Sequence, residues 1–312
     1  MGPSVSVLVP AYNVASWVEG ALASALASRD VDLEVVVVDD GSTDQTAEVA
    51  EAVAARDPRV VVVRQSENLG PSAARNVALA HATKPWVAAL DADDAFAPDR
   101  LARLVALGEA TGADVVSDDV AIVRDGEDTT WTTMYQAFDW RRAEGHRLTL
   151  AEFADLDWII QPVFRRSFLD RYDLRYREDV RHGEDFLFYT RALLSGARWV
   201  TAAEAGYFYR RREGSLTLSG SHVADNLVAT RAALEAVESS APPRDVSAFR
   251  RRLAREREMT AWGGVRRALQ SDGVAAAAME ALRRPTYWLP FGRIMWAGLR
   301  RRVVRWRTTD PV

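Results

Sequence analysis

The chain has 312 residues, a net charge of −4 and no cysteine, with 48% hydrophobic and 27% charged residues. That length buries a full core, in one large domain or one domain with an appendage. The acidic balance argues against nucleic acid as a partner, and the lack of cysteine excludes disulfides and thiolate chemistry.

From residue 4 to about 118 strand and helix patterns alternate. Short Val/Leu runs at 5–9, 34–38, 60–63, 86–90 and 114–117 predict strands, and alanine-rich stretches at 15–28, 44–56, 71–83 and 98–111 predict helices. This alternation predicts βαβ units and an α/β fold with a mainly parallel sheet. The apolar runs are continuous, so both faces of the sheet should be covered. Ser42-Thr43-Asp44-Gln45 has the spacing of a capping box that starts the second helix.

Between about 119 and 215 the alternation breaks. Asp125-Gly126 predicts a hairpin turn. Residues 126–147 are polar and aromatic without a period and read as a mobile loop. Helices are expected at 149–155, 167–172 and 185–195, and a strand with aromatics on both faces at Gly206–Arg210. After 220 the pattern is helical, at 222–239, 245–270 and 273–283, broken by Pro242-Pro243 and Ser271-Asp272-Gly273. Past Pro290, Phe291, Met295, Leu299, Val303 and Trp306 recur at helical spacing among arginines. A basic amphipathic segment over 287–307 can lie in a membrane interface, pack on a protein surface, or bind an anionic polymer. No apolar run reaches the roughly 18 residues of a spanning helix, and the start runs straight into a strand pattern, so no secretory leader is expected. The expectation is a cytoplasmic protein, peripheral at the membrane if the basic segment binds lipid.

Polar motifs follow the apolar runs. Pro10-Ala11-Tyr12-Asn13 ends the first strand, Asp39-Asp40-Gly41-Ser42 the second, and Asp91-Ala92-Asp93-Asp94 the run at 86–90. Ligands of open α/β sheets bind outside the carboxyl ends of the strands, so these motifs should share one crevice. Side chains two apart in an extended chain share a side, which lets Asp91 and Asp93 face the crevice while Asp94 points elsewhere. Magnesium and manganese take oxygen ligands, often one or two carboxylates plus substrate phosphates. A carboxylate at Asp40 can accept from the imide N–H of a base such as uracil, and Tyr12 offers a flat face for stacking; an aromatic at that position can equally be core. Arg75, one turn into a helix, can reach a diphosphate or a sugar. Gly183-Glu184-Asp185 opens an amphipathic helix, where the dipole favours a carboxylate anion. Asp185 can act there as a general base or simply as a cap.

Together Val5–Asn13, Val36–Thr46, Asn68–Asn76, Ala89–Asp94, Gly183–Phe186 and Tyr207–Thr217 resemble family 2 glycosyltransferases of the GT-A fold. The resemblance spans 3–217 and implies a catalytic domain at 1–219 followed by a helical region at 220–312. It implies metal-dependent, inverting transfer from a nucleoside-diphosphate sugar, usually a UDP-sugar, to a hydroxyl acceptor. Pro10, Ala11, Tyr12, Asn13 and Asp40 would hold the base, and Asn68 and Arg75 would line the donor site. Asp91, Ala92 and Asp93 would form the D-x-D motif, with Asp93 the nearer ligand of Mn2+ or Mg2+. Asp185 would be the catalytic base. Arg210, Arg212 and Ser215 would bear on the diphosphate, and His222 is read as a surface histidine. The central segment also resembles enzymes that build or decorate cell-envelope polymers, including wall teichoic acid glycosyltransferases. The acceptor would then be a polymer or lipid-linked hydroxyl, with Glu184, Trp158, Gln161 and His182 on its side. A nucleotidyltransferase, or a non-catalytic subunit that binds nucleotide sugars on the same scaffold, are the competing readings.

Overall fold

Strand β1 (Ser4–Ala11) is apolar on both faces: Val5, Val7 and Val9 join one core cluster and Leu8 the other. In β2 (Asp32–Asp39), Val35 and Val37 join the first cluster and Val36 and Val38 the second. The two-residue period of a strand sends neighbours to opposite faces, so a continuous Val/Leu run needs a helical layer on each side. Helices α1 (Val18–Leu26), α2 (Thr46–Ala54) and α4 (Arg100–Thr111) supply one layer. Helices α3 (Pro71–His81), α8 (Glu184–Leu194) and α9 (Val223–Ser240) supply the other. The structure is a computed structural model that describes residues 2–124, 130–140, 142–156, 159–180, 182–211 and 223–271.

Among the described residues there is one ten-stranded sheet. Its main path runs β3 (Val60–Arg64), β2, β1, β4 (Trp86–Ala89), β9 (Val163–Arg165), β6 (Val115–Arg124), β10 (Trp199–Arg211) and β5 (Ala95–Phe96). Strands β7 (Thr130–Thr133) and β8 (His146–Arg147) add to β6 and β10. β1 is parallel to β2 and β4, and β6 to β10, while β9 runs antiparallel between β4 and β6. The strand order reverses between β1 and β4, and ligands of open α/β sheets bind at such a switch point.

The α/β expectation holds, with four differences. The strand expected at Gly206–Arg210 begins earlier, at Trp199. β5 and β9, of two and three residues, are too short to show a period. The segment read as a mobile loop at 126–147 contains β7, helix α5 (Met134–Ala137) and β8 in its described parts. Asp119 accepts from the Tyr135 N–H at 2.9 Å, and buried Tyr135 meets Trp140 edge to face at 4.6 Å. β6 and β7 pair antiparallel as a hairpin requires, although the turn at Asp125-Gly126 lies outside the described residues. Finally, Ser42 does not cap α2: the Asp44 carboxylate accepts from the Thr46 N–H at 3.0 Å and the helix begins at Thr46. A capping box does form at α6 (Leu150–Asp155), between Thr149 and Glu152.

Contacts divide the chain into the compact units Met1–Leu253 and Ala254–Val312. Helix α9, which the sequence reading places in a separate helical region, belongs to the first: Ala229, Ala233 and Val237 are buried in the core that holds Phe186 and Tyr189. Among the described residues no helix is long and apolar enough to cross a membrane. The helix expected at 273–283, the basic segment 287–307, Trp158, Arg212, Ser215 and His222 lie outside the described residues.

Candidate active site

The first two strand ends are laced together. Asn13 has φ 52°, and its Oδ1 accepts from the Thr43 N–H at 2.9 Å while its own N–H donates to Ser42 Oγ at 3.0 Å. Asparagine tolerates this left-handed conformation better than most residues. Tyr12 beside it is 45% exposed, so its ring is presented to solvent rather than to the core. Gly41 has φ 69° and lies so close to the next loop that a Cβ there would sit 2.6 Å from the Glu67 carbonyl carbon.

That loop is held by Asp40. Its carboxylate accepts from the Leu69 N–H at 2.9 Å, the Gly70 N–H at 2.8 Å and the Gln65 amide. Burial raises its pKa, against these hydrogen bonds. A carboxylate offers about four acceptor positions, so little of Asp40 remains for a base. Its neighbour Asp39, 4% exposed, gives one oxygen to the Ser42 N–H at 3.3 Å, and Oδ1 is buried without a hydrogen-bond partner. Sequence reading passed over Asp39 because two adjacent aspartates carry no signal of which one is occupied. Asn68 is exposed on the same loop.

At the third strand end Asp91 is gripped on both oxygens: Arg75 donates to Oδ1 at 2.8 Å and the Gln161 amide to Oδ2 at 3.2 Å. Asp93 is half-buried, and Arg210 Nε donates to its backbone carbonyl at 3.2 Å. Asp94, expected to point elsewhere, is 3% exposed and faces inward onto Tyr207 and the Arg210 N–H. Burial first, then the charges of Asp91 and Asp93, push its pKa well up. The negative charge of this turn therefore rests on Asp93 and on Asp91, which Arg75 offsets.

Arg75, expected to line the donor site, is 8% exposed, with one terminal nitrogen on Asp91 of the donor motif and the other on Glu184 at 2.5 Å. Its guanidinium also lies 5.6 Å from the Tyr176 ring centre. Burial pulls its pKa down, but the Asp91 and Glu184 charges more than offset this and hold it well above the usual value. Glu184 and Gln161, expected on the acceptor side, are likewise turned inward, 9% and 6% exposed, onto Arg75 and Asp91.

Glu184 and Asp185 start α8 after Gly183, which has φ 73°. A Cβ on Gly183 would lie 2.9 Å from the Ala229 side chain, so α9 closes against this turn. Adjacent helix positions point in different directions: Glu184 goes inward, while Asp185 stays half-exposed and accepts from the Phe186 N–H at 2.6 Å. His182, just upstream, is also half-exposed.

Burial pushes the Glu184 carboxyl up to about 7, against the pull of Arg75, whose charge is shared with Asp91. Folded Glu184 therefore keeps its proton to higher pH than the unfolded chain, where the ordinary value is 4.5. Its contribution to stability is complete below 4.5 and is lost as pH rises through about 7. Glu184→Gln should flatten that fall. In thermal melts from about pH 5 to about pH 8, the variant should gain steadily on the wild type. A constant difference between the two would show that Glu184 does not hold a proton there.

The donor set suits a hard cation. Among the described residues no group of three or more His, Cys, Asp or Glu can enclose a metal ion. Asp93 offers carboxylate oxygen, while both oxygens of Asp91, expected as a second ligand, are already taken by Arg75 and Gln161; one carboxylate fits an ion that completes its shell from phosphate and water.

The family model described as "Glycosyl transferase family 2" matches residues 6–172. Succinoglycan biosynthesis protein ExoO of Rhizobium meliloti is 35% identical over 265 residues, covering 80% of this chain and 74% of ExoO. The fold matches Staphylococcus aureus TarS 1–349, solved with UDP-GlcNAc, at a TM-score of 0.64 and 24% identity over 86% of this chain and 73% of that one. It also matches the mannosyltransferase PcManGT of Pyrobaculum calidifontis, solved with GDP-Man and Mn2+, at 0.62 and 20% over 92% of this chain and 80% of that one. The chain belongs to glycosyl transferase family 2 and is a glycosyltransferase of the GT-A fold.

Proposed function

We propose that the chain transfers a sugar, with inversion, from a UDP-sugar to a hydroxyl of a cell-envelope polysaccharide or similar polymer. One observation carries this reading: a single guanidinium, Arg75, touches both Asp91 of the D-x-D motif and Glu184 beside Asp185. The donor motif and the base motif are thereby brought to one place in the fold, as a displacement between bound donor and acceptor requires. ExoO, named for succinoglycan biosynthesis, supports a polysaccharide acceptor, and TarS, solved with UDP-GlcNAc, supports a UDP-sugar donor.

The base stacks on Tyr12, and its imide N–H is accepted at the Asp39–Asp40 turn. Asp93, with Asp91 behind it, would hold Mn2+ or Mg2+. The ion, when bound, neutralises charge on the leaving diphosphate, an effect worth several kcal/mol. Arg210 adds a positive charge beside Asp93 on the same side. Asp185 accepts the proton of the acceptor hydroxyl as that oxygen attacks the anomeric carbon opposite the diphosphate. One displacement at that carbon inverts it.

Calorimetric titration of UDP with and without manganese tests the donor half of this proposal. Binding should require the metal, and Asp93→Ala should lower it at least about tenfold by removing a charged ligand. UDP binding that ignores both metal and Asp93→Ala would sink the reading.

A further inference from the structure

We infer that Tyr207 and Asp94 form a bracket that sets the direction of Asp93, making Tyr207 a positioning residue for the metal–diphosphate site. The inference rests on the proposed function and extends it to residues that the D-x-D pattern does not contain.

The observations form a closed ring. The Tyr207 hydroxyl accepts from the Asp91 N–H at 3.2 Å and donates to Asp94 Oδ2 at 2.7 Å. Asp94 Oδ1 accepts from the Arg210 N–H at 2.8 Å. Arg210 Nε donates back to the Asp93 carbonyl at 3.2 Å. A turn bond from the Asp94 N–H to the Asp91 carbonyl at 2.9 Å completes the frame. Asp93 is thus fixed through its backbone from both sides and at its carbonyl. With both oxygens committed inside the protein and 3% exposure, Asp94 is a brace rather than a ligand.

The brace is itself held rigid. β5 follows Asp94 directly and pairs antiparallel with β10, with Phe96 opposite Tyr207. Tyr207 is fully buried, edge-on to Phe96 at 5.7 Å, with the Arg100 guanidinium 5.3 Å from its ring centre. Arg100 is locked in turn by Asp118, both of them fully buried, at 2.9 Å. At Gly206 a Cβ would lie 2.7 Å from the Asp118 carboxylate and 2.8 Å from Arg100 Cγ, so β10 fits here only with glycine next to Tyr207. A ligand residue whose backbone is held by such a shell keeps its place when it takes a cation, and that is what supporting shells contribute to metal affinity.

The test is UDP calorimetry on the full chain across a manganese series. Wild-type binding that needs no manganese overturns the proposed function, and this inference with it. Given metal-dependent wild-type binding, Tyr207→Phe should raise the half-maximal manganese concentration about tenfold, because it leaves the Asp91 N–H and the Asp94 carboxyl without their shared buried partner. Saturating manganese should then restore wild-type UDP affinity. An unchanged manganese dependence overturns the bracket, and so does a loss that saturating manganese does not restore, which marks a merely structural tyrosine. Should Tyr207→Phe not fold, Asp94→Asn keeps one of the two acceptors and should shift the manganese midpoint by roughly threefold. A wild-type midpoint in that variant is equally fatal.

Discussion

Asp185→Asn is expected to lower kcat by roughly 10²–10⁴-fold, the typical worth of a general base, while metal-dependent UDP binding stays at the wild-type level. The amide keeps nearly the same volume and can still accept from the Phe186 N–H, so the first turn of α8 is preserved. What it loses is the ability to take a proton. Glu184 cannot substitute, because its carboxylate is buried against Arg75 and faces away from solvent. Radiolabelled sugar transfer alongside UDP titration separates the two effects. Turnover within a few fold of wild type would remove Asp185 as the base, and lost UDP binding would show that its role is structural.

Arg75→Met should destabilise the fold by about 3–5 kcal/mol, the usual cost of removing one partner from a buried ion pair. Arg75 is 9% exposed at its side chain, and Glu184 and Asp91 are 11% and 31% exposed. Glu184 therefore bears most of the cost, and Asp91 keeps some solvent and its bond from Gln161. Glu184→Gln placed on top of Arg75→Met should recover part of the loss, because the buried carboxylate is then gone. Urea unfolding of wild type, single and double variants gives the coupling directly. A loss below about 1 kcal/mol would mean that the pair behaves as an exposed one. Arg75→Lys should not rescue, since an ammonium lacks the planar fork that reaches two carboxylates at once.

The place of Asp185 in the first turn of α8 was legible in the sequence, which leaves a cap and a general base both open there. Arg75 was legible as part of the site but not in its direction. Helical spacing puts it one turn into α3, yet only packing shows that it points at Glu184, 109 residues away. The inward turn of Gln161 and Glu184 was not legible for the same reason: periodicity gives a face, and the partner on that face comes from another part of the chain. Tyr207 and Asp94 had no sequence signal beyond an aromatic in a strand and a spare carboxylate.

The apolar runs at 5–9, 34–38 and 86–90, each followed by a polar motif, determined by themselves that this is an α/β sheet with its site at the carboxyl ends. Hydrophobic periodicity and turn chemistry are local, and they survive in the one-dimensional chain. Tertiary structure decided which carboxylate is half-exposed, which is buried on a tyrosine and which is held by an arginine. Those roles depend on burial and on charges brought together from distant segments, such as Arg75, Asp91 and Glu184. In water these groups would all be solvated alike; only the folded interior, where desolvation is costly unless a partner is in place, makes them different.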